Sequence, residues 1–256
     1  MTPIIKPALL VLSFVIATCG QAGARDAQLM PGQIDEISGP LSVRLMVEGE
    51  AVELRLASLV TPVPDRTEAF LTTLLNARSV DVEFLNDTTD RYGRRLGTIW
   101  LGEAGDRGDL HALLLREGLV QLYPYPDATD HLHAWRDAEH AGRANRAGIW
   151  SEAAYGVRDV DPDMLIQDVG TIQIVEGQVS DAEVLGNGRV YLNFGSDYRT
   201  DFTIRIDAEL SEEFATRWGD LAAMEGRLIR VRGVIREENG PMIIPPNPER
   251  VELLDD

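Results

Sequence analysis

Two histidines and an aspartate fall at a spacing that could hold a metal ion. His133, Asp137 and His140 follow one another at i, i+4 and i+7 on a predicted helix, so they share one face. Imidazole nitrogens and a carboxylate are ligands that transition metals accept. His131 points to a different face. The alternative is an exposed polar helix face, which we favour because spacing alone does not make a site.

A second group of residues could contact phosphates. Arg230, Arg232 and Arg236 are predicted to share one strand face, with Tyr191 and Asn193 on a strand beside them. Stacking rings and guanidinium groups on a strand face bind single-stranded nucleic acids in some barrels. The alternative is that nearby acids neutralise these arginines, and we favour it. The nearby acids in the sequence are Glu225, Glu237 and Glu238.

The overall charge argues against broad binding to a polyanion. The chain has 42 acidic and 24 basic residues, a net charge of -18. Proteins that contact many phosphates usually gain affinity from surplus arginine and lysine. A local basic pocket is still compatible with this composition.

The first 24 residues are typical of an export signal. Lys6 supplies a positive charge, residues 7–17 are apolar but too short to cross a bilayer, and the small residues 22–24 suit cleavage after Ala24. Cys19 could instead anchor a lipid, although the threonine before it is large for such a site. We therefore expect an exported protein, periplasmic or secreted. Cys19 is the only cysteine, so the mature chain would have no disulfide.

The predicted elements of the first half are short strands and helices. Residues 41–60 alternate as two strands around a turn at 48–50, and further strands follow near residues 80–84 and 96–101. Asp65 and Glu68 resemble a capping box that starts a helix. Asp109 is predicted to cap a second helix, and a third runs to about residue 147. This order of strands and helices is typical of an α+β fold, here a small barrel with helices at its edge.

The second half is predicted to be β-rich. Residues 153–169 are acidic and lack a regular pattern, which indicates a linker or a loop packed between the halves. From residue 170 to residue 256 we expect five strands, with one helix between the third and the fourth. The Asn239-Gly240 pair is a strong hairpin signal. This order favours a five-stranded Greek-key barrel, the OB-fold, although a small sandwich would give a similar string.

Several motifs in the first half resemble those of staphylococcal-type nucleases. The segment 90–96 reads DRYGRRL and resembles a signature of that family. Four further matches follow the family order, with LRL at 54–56, TP at 61–62, LREGLV at 115–120 and IWS at 149–151. The resemblance implies a nuclease-like barrel over residues 30–152. The second half resembles the β-rich C-terminal part of two-domain bacterial members.

The resemblance implies a phosphodiesterase site. In the family, calcium is bound by two aspartates and a threonine carbonyl, two arginines clamp the phosphate, and a glutamate lies beside the water. Position by position, Arg55 and Arg94 match the two clamp arginines, and Thr61 matches the threonine. Tyr123 and Tyr125 lie where the family has tyrosines beside its nucleotide, although packing would also explain them.

The acids of that site are missing. The first metal aspartate falls on Leu41, or on Pro40 if the register slips, and the second falls on Val60. The glutamate falls on Val63. Calcium prefers six to eight hard oxygen ligands, so we expect no cofactor here. Four acids nearby could replace them, although Asp65 and Glu68 also fit a capping box, and Asp35 and Glu36 also fit a solvated loop.

These features give one main functional hypothesis and two alternatives. The main hypothesis is an exported, largely non-catalytic module that binds a nucleotide, a single-stranded nucleic acid or an envelope protein. The first alternative is an active divalent-metal nuclease with relocated acids, which would bind Ca²⁺. In the second alternative the first half is a scaffold, and the second barrel binds a protein or a glycan.

Overall fold

The computed structural model describes residues 29–102, 107–126 and 129–254. The predicted export signal at 1–24 and Cys19 therefore lie outside the described residues, and export stays a prediction. Within the described ranges, no helix is long and apolar enough to cross a membrane.

The first half contains a closed five-stranded barrel. Strands β3 (Glu50–Leu56), β2 (Ser42–Val47), β1 (Met30–Gly39), β5 (Ser79–Thr89) and β6 (Arg95–Leu101) pair antiparallel in that order, and a parallel pairing of β3 with β6 closes the barrel. The closing register aligns Arg55 with Leu96. The strands of this half are β1 (Met30–Gly39), β2 (Ser42–Val47), β3 (Glu50–Leu56), β4 (Leu59–Val60), β5 (Ser79–Thr89), β6 (Arg95–Leu101), β7 (Gly108–Asp109) and β8 (Gln121–Leu122).

Three helices cover this barrel, namely α1 (Pro64–Leu75), α2 (Leu110–Arg116) and α3 (Thr129–Ala144). The predicted cap of α2 is confirmed, because the Asp109 carboxylate accepts a hydrogen bond from the His111 amide at 2.7 Å. The predicted capping box of α1 is wrong. The helix begins at Pro64 after Val63, and no side chain caps it. Proline suits a first helical position because its φ angle is already helical.

The prediction of a solvated loop at Asp35 and Glu36 is also wrong. Both residues lie in β1, and the Glu36 carboxylate pairs with Arg44 at 2.7 Å. Register shifts between Ile34 and Glu36 and between Ile37 and Gly39 interrupt the alternation of this strand. A bulge adds a residue to one strand, so it hides the period of two from a sequence pattern.

The second half repeats the same connectivity. Its strands are β9 (Ile172–Gln178), β10 (Asp181–Val184), β11 (Val190–Asn193), β12 (Thr203–Ile206), β13 (Leu228–Val234), β14 (Arg236–Glu237), β15 (Pro241–Ile243) and β16 (Val251–Leu253). The first barrel strand corresponds to β9 with β10, and the fourth to β13 with β14. A parallel pairing of β12 with β15 joins the third and fifth strands, as in the first barrel. This arrangement confirms the predicted OB-like barrel.

Two further features complete the second half. Helix α5 (Ser211–Trp218) follows the third strand, as α1 does in the first barrel. The predicted hairpin turn is confirmed, with φ angles of 53° at Asn239 and 90° at Gly240. The segment between the barrels is folded and includes helix α4 (Pro162–Leu165), whose Leu165 is buried in the second core.

Candidate functional site

The two predicted clamp arginines lie together at the mouth of the first barrel. Arg55 comes from the end of β3, and Arg94 directly precedes β6. The hydrogen bonds of Arg55 go to backbone carbonyls, with distances of 2.5 Å to Leu56 and 2.9 Å to Leu59. Arg55 therefore contributes charge to the site, while its donors are largely committed to the fold.

Asp90 holds Arg94 in place. Its carboxylate accepts hydrogen bonds from the Arg94 guanidinium at 2.6 Å and 2.8 Å. It also accepts the backbone amides of Tyr92 and Arg94. Burial raises the pKa of Asp90, but these hydrogen bonds outweigh it and lower the pKa below its ordinary value. The family signature thus encodes a turn that fixes its own arginine.

The two arginines remain close enough to affect each other. Burial lowers the pKa of Arg55, and the nearby positive charge of Arg94 lowers it further. Tyr125 and Asp90 act in the opposite direction but do not cancel the effect. A bound anion would reduce this repulsion, so the pair favours a negatively charged ligand.

A cleft of about 770 Å³ opens over these arginines. Tyr92 and Tyr125 line it and are exposed, at 67% and 41%. Arg94 lies 5.2 Å from the centre of the Tyr92 ring. Ile172 and Val234 of the second barrel also line the cleft, so both halves of the chain contribute to it.

Tyr123 also lines the cleft, but a residue from the second half covers its ring. The guanidinium carbon of Arg250 lies 3.1 Å from the centre of the Tyr123 ring, and its Nε donates to the Pro124 carbonyl. Burial lowers the pKa of Arg250, and Tyr123 opposes that shift. Of the two predicted tyrosines, Tyr125 therefore presents the more accessible ring to a ligand.

A buried ionic network holds the tyrosine segment, residues 122–125, in place. The Arg232 guanidinium donates to the Leu122 carbonyl at 3.2 Å and pairs with Glu139 and Glu252 at 2.7 Å and 2.6 Å. Glu139 in turn accepts the Leu122 amide at 2.8 Å. Burial lowers the pKa of Arg232, but the two carboxylates raise it above its ordinary value. Burial raises the pKa of Glu252, yet Arg232 and Arg136 bring it down to about 2.

Neither Arg250 nor the partners of Arg232 were predicted from the sequence. One signal was available, because Arg230 and Arg232 interrupt an otherwise apolar strand that is buried from residue 229 to residue 233. A strand buried on both faces needs carboxylate partners for its arginines. The sequence does not show where those partners lie.

The predicted basic strand face is therefore not a nucleic-acid surface. Arg230 pairs with Glu176 at 2.8 Å, and Arg232 is 1% exposed between the two halves. Arg236 lies on β14, in the other sheet. Neutralisation by acids is confirmed for Arg230 and Arg232, but the acids are Glu176, Glu139 and Glu252 and not the predicted ones.

The residues at the positions where the resemblance predicted calcium ligands do not fit calcium. Leu41 is 5% exposed and belongs to the hydrophobic core, and Val60 and Val63 offer no carboxylate. The Thr61 hydroxyl donates to the Leu119 carbonyl at 2.9 Å and accepts the Val63 amide at 3.1 Å, so it stabilises the start of α1. Within the described ranges, no group of three or more His, Cys, Asp or Glu side chains could hold a metal ion.

The histidine trio on α3 is also not arranged as a metal site. His133 and Asp137 lie 3.7 Å apart and are exposed, at 93% and 64%. His140 accepts a hydrogen bond from Arg230 at 2.9 Å, which occupies the lone pair that a metal would need. The exposed-face alternative is the better description of His133 and Asp137.

The remaining two histidines belong to a buried polar cluster beside α3. His111 is fully buried, with Nδ1 2.9 Å from the Thr98 hydroxyl and Nε2 2.9 Å from the Ala57 carbonyl. Burial lowers the pKa of His111 to about 4, although Asp109 opposes the shift. His131 pairs with Glu83 at 2.8 Å, and that hydrogen bond raises the pKa of His131. These groups lie outside the cleft and stabilise the domain.

Comparison with known proteins agrees with this geometry. Residues 52–152 match the family model of the staphylococcal nuclease homologues. A curated relative, Protein ParB of Escherichia coli, is 26% identical over 133 residues, which cover 47% of this chain and 72% of ParB. The matched region contains the closing strands of the barrel, both arginines and the tyrosine segment. Residues 52–152 therefore belong to a domain of the staphylococcal nuclease homologue family.

Proposed function

We propose that the first half binds a phosphate-bearing nucleotide, or the end of a single-stranded nucleic acid, without cleaving it through calcium. One observation carries the proposal. Arg55 and Arg94 line one cleft with two exposed tyrosine rings, while the positions of the metal acids hold Leu41 and Val60. Guanidinium groups bind phosphate and aromatic rings stack on bases, and neither contact requires a metal ion.

The local charge supports an anionic ligand despite the acidic chain. Arg55, Arg91 and Arg94 line the cleft, and Asp90 is the acid among its lining residues that the structure describes. The cleft thus has a surplus of positive charge on a protein whose net charge is -18. Such a contrast favours a small ligand or a strand end over a long polyanion, which the remaining surface would repel.

The loss of the acids supports binding over hydrolysis. Phosphodiester cleavage needs compensation of the charge that develops on the phosphoryl oxygens and a means to orient water. Two arginines supply part of the first requirement. Removing a single electrostatic donor from an active site costs roughly 10²–10³ in rate, so the loss of several acids should abolish measurable turnover.

The test is a titration with a nucleoside 3′,5′-bisphosphate in excess EDTA and then in calcium. We expect the same affinity in both. Arg94→Ala should weaken binding by about ten- to a hundredfold, because it removes charge-assisted hydrogen bonds. Arg66→Ala is the matched control, since Arg66 is exposed and pairs with Glu152 away from the cleft. Affinity that requires calcium, or that is unchanged in Arg94→Ala, would overturn the proposal.

A cleavage assay separates this proposal from the alternative of an active nuclease. Single-stranded DNA and RNA are incubated with calcium, magnesium or manganese. We expect no cleavage above background. Cleavage that disappears in Arg94→Ala would contradict the proposal and show that relocated acids supply the metal site.

Export is a separate proposal that rests on the sequence of residues 1–24. If the segment is a cleaved signal, the mature protein isolated from its host begins at Arg25. Mass spectrometry of the mature N-terminus tests it, and a protein that keeps Met1 would contradict it.

A further inference from the structure

The second barrel has a pocket at the position that corresponds to the cleft of the first. In the first barrel, Arg55 of the third strand and the loop before the fifth strand form the site. In the second barrel, a pocket of about 250 Å³ lies against Thr203 of β12, Met242 of β15 and Asn239 in the turn before β15. Both sites therefore lie where the third and fifth strands pair in parallel.

The chemistry of this second pocket is different. Its lining residues in the described chain include two carboxylates, Asp181 and Glu183, and no arginine or lysine. Tyr191 and Tyr198 supply two rings, and Asn193 and Thr203 supply buried polar groups, at 7% and 2% exposure. A phosphate would meet two negative charges here, so the pocket cannot take the ligand of the first barrel.

The polar groups of the pocket are ordered across three strands. Asp181, Asn193 and Thr203 occupy opposed positions on β10, β11 and β12. The Thr203 hydroxyl donates to the Asn193 side-chain carbonyl at 3.1 Å, and the Asn193 amide donates to Asp181 at 3.2 Å. This row fixes the direction of each hydrogen-bonding group, which a ligand with several hydroxyl groups can use.

An exposed ring stands at the edge of the pocket. Tyr198 is 57% exposed, and it lines both this pocket and an adjoining cleft of about 590 Å³. Its loop is held by Asp197, which accepts the Arg199 amide at 3.1 Å, and by Asp201, which accepts the Asp197 amide at 2.7 Å. The ring is thus presented to solvent on an ordered loop, which lowers the entropy cost of stacking a ligand on it.

Two neighbouring arginines decide between a neutral and a cationic ligand. Arg189 donates to the Tyr191 hydroxyl at 3.4 Å, and Arg205 pairs with Asp207 and Glu238 beside the same strands. A strongly cationic ligand would lie next to these guanidinium groups and be repelled. A neutral ligand with many hydroxyl groups can donate to the carboxylates, accept from the amides and pack its C–H face on a tyrosine ring.

We propose that this pocket of the second barrel binds a neutral saccharide, independently of the cleft in the first barrel. Barrels of this connectivity can bind oligosaccharides on the outer face of their strands, which agrees with the position of the pocket. The proposal does not depend on nucleotide binding by the first half.

The test uses the full chain and three neutral probes, namely maltotriose, cellotriose and N,N′,N″-triacetylchitotriose. We expect at least one of them to bind by calorimetry and to shift NMR signals of β10 and β11. Tyr198→Ala should weaken this binding by about tenfold through loss of the stacking surface. Asp181→Asn should weaken it as well, while Glu213→Gln, an exposed acid on α5, should not.

Tyr92→Ala is the matched control, because Tyr92 is also an exposed tyrosine beside an arginine. We expect Tyr92→Ala to reduce affinity for the nucleoside bisphosphate and to leave saccharide binding unchanged, and Tyr198→Ala to do the reverse. Thermal unfolding verifies that both variants fold.

Three results would overturn the proposal. The first is that none of the three trisaccharides binds. The second is that spermine binds instead and depends on Tyr198, which would assign a cationic ligand. The third is that single-stranded DNA binds and is lost in Tyr198→Ala, which would assign a nucleic acid. Failure of saccharide binding with intact nucleotide binding would leave the proposed function of the first half standing.

Discussion

The two barrels share one connectivity and differ in the charge of their pockets. Each places a pocket beside the parallel pairing of its third and fifth strands. The first presents Arg55 and Arg94 there, and the second presents Asp181 and Glu183. The backbone therefore determines where each pocket lies, and a few side chains determine its charge.

The two halves also differ in the titratable and charged groups that they bury. The first half contains all four histidines of the chain and a fully buried His111. The second half contributes Arg232 and Arg250, whose partners include groups of the first half. We call these contacts of Arg232 and Arg250 with the first half the seam. The largest expected effects of substitution concern the seam and the histidine cluster.

Breaking the seam should cause the largest loss of stability. Glu139→Gln removes a carboxylate that pairs with Arg232 and leaves that guanidinium buried with less compensation. We expect a loss of roughly 3–5 kcal/mol in the free energy of unfolding, measured by urea denaturation. Glu68→Gln, an exposed acid on α1, is the control. A loss similar to the control would mean that the halves are held together by other contacts.

His111 should make the first half sensitive to acid. Burial depresses the pKa of His111 to about 4, below the value near 6.5 expected in the unfolded chain. Neutral His111 thus contributes stability above pH 6.5, and this contribution is lost as the pH falls towards 4. The loss should be about 3 kcal/mol and should disappear in His111→Asn.

His133→Asn is the control for this pH dependence, because His133 is exposed at 93%. Its variant should keep the wild-type slope of unfolding free energy against pH between 6.5 and 4.5. Since the second half has no histidine, amide exchange at pH 5 should rise first in β6 and α2. An unchanged slope in His111→Asn would show that other groups cause the acid sensitivity.

Alanine substitutions at one glycine in each barrel, Gly97 and Gly233, compare how tightly the two barrels are packed. A Cβ on Gly97 would lie 2.5 Å from the Glu83 carbonyl oxygen, whereas a Cβ on Gly233 would lie 2.5 Å from the Cγ2 methyl of Ile243. The backbone carbonyl is fixed by strand pairing, whereas the methyl group can yield by rotation of the buried Ile243 side chain. We expect Gly97→Ala to cost about 3 kcal/mol and Gly233→Ala about 1 kcal/mol, measured by thermal unfolding. The reverse order would indicate that the second barrel is the more rigid one.

The smallest expected effects come from exposed ion pairs. Arg44 pairs with Glu36 and Glu53 on the first barrel, where its side chain is 42% exposed. Arg44→Ala should change the unfolding free energy only slightly, and salt should reduce the difference. Arg205→Ala on the second barrel should cost slightly more, because Arg205 is 13% exposed. Equal effects would mean that burial does not distinguish these pairs.

Local signals in the sequence predicted much of the fold. The Asn239-Gly240 turn and the Asp109 cap depend on neighbouring residues, and both were found in the structure. Strand β1 was missed because its bulges break the alternation. The cap at Asp65 was predicted wrongly because Pro64 already provides the helical backbone angle at the first position.

The candidate site was predictable only in part, for a physical reason. The segment 90–96 gives Arg94 a local partner, so its position follows from the motif. The contacts of Arg232 with Glu139 and of Arg250 with Pro124 join residues that are 93 and 126 positions apart. No local pattern encodes such distances, and only the packing of the two barrels reveals them.

The hydrogen bonds from the second half to residues 122–124 affect whether the first domain can be joined to a different C-terminal domain. Arg232 and Arg250 satisfy the Leu122 and Pro124 carbonyls and one charge of the first half. A first domain joined to an unrelated module instead would lose the arginine partner of Glu139 and the contacts that hold residues 122–124 beside the cleft of Arg55 and Arg94. We therefore expect each half to lose stability without the other, although the acidic, irregular sequence at 153–169 is typical of a linker.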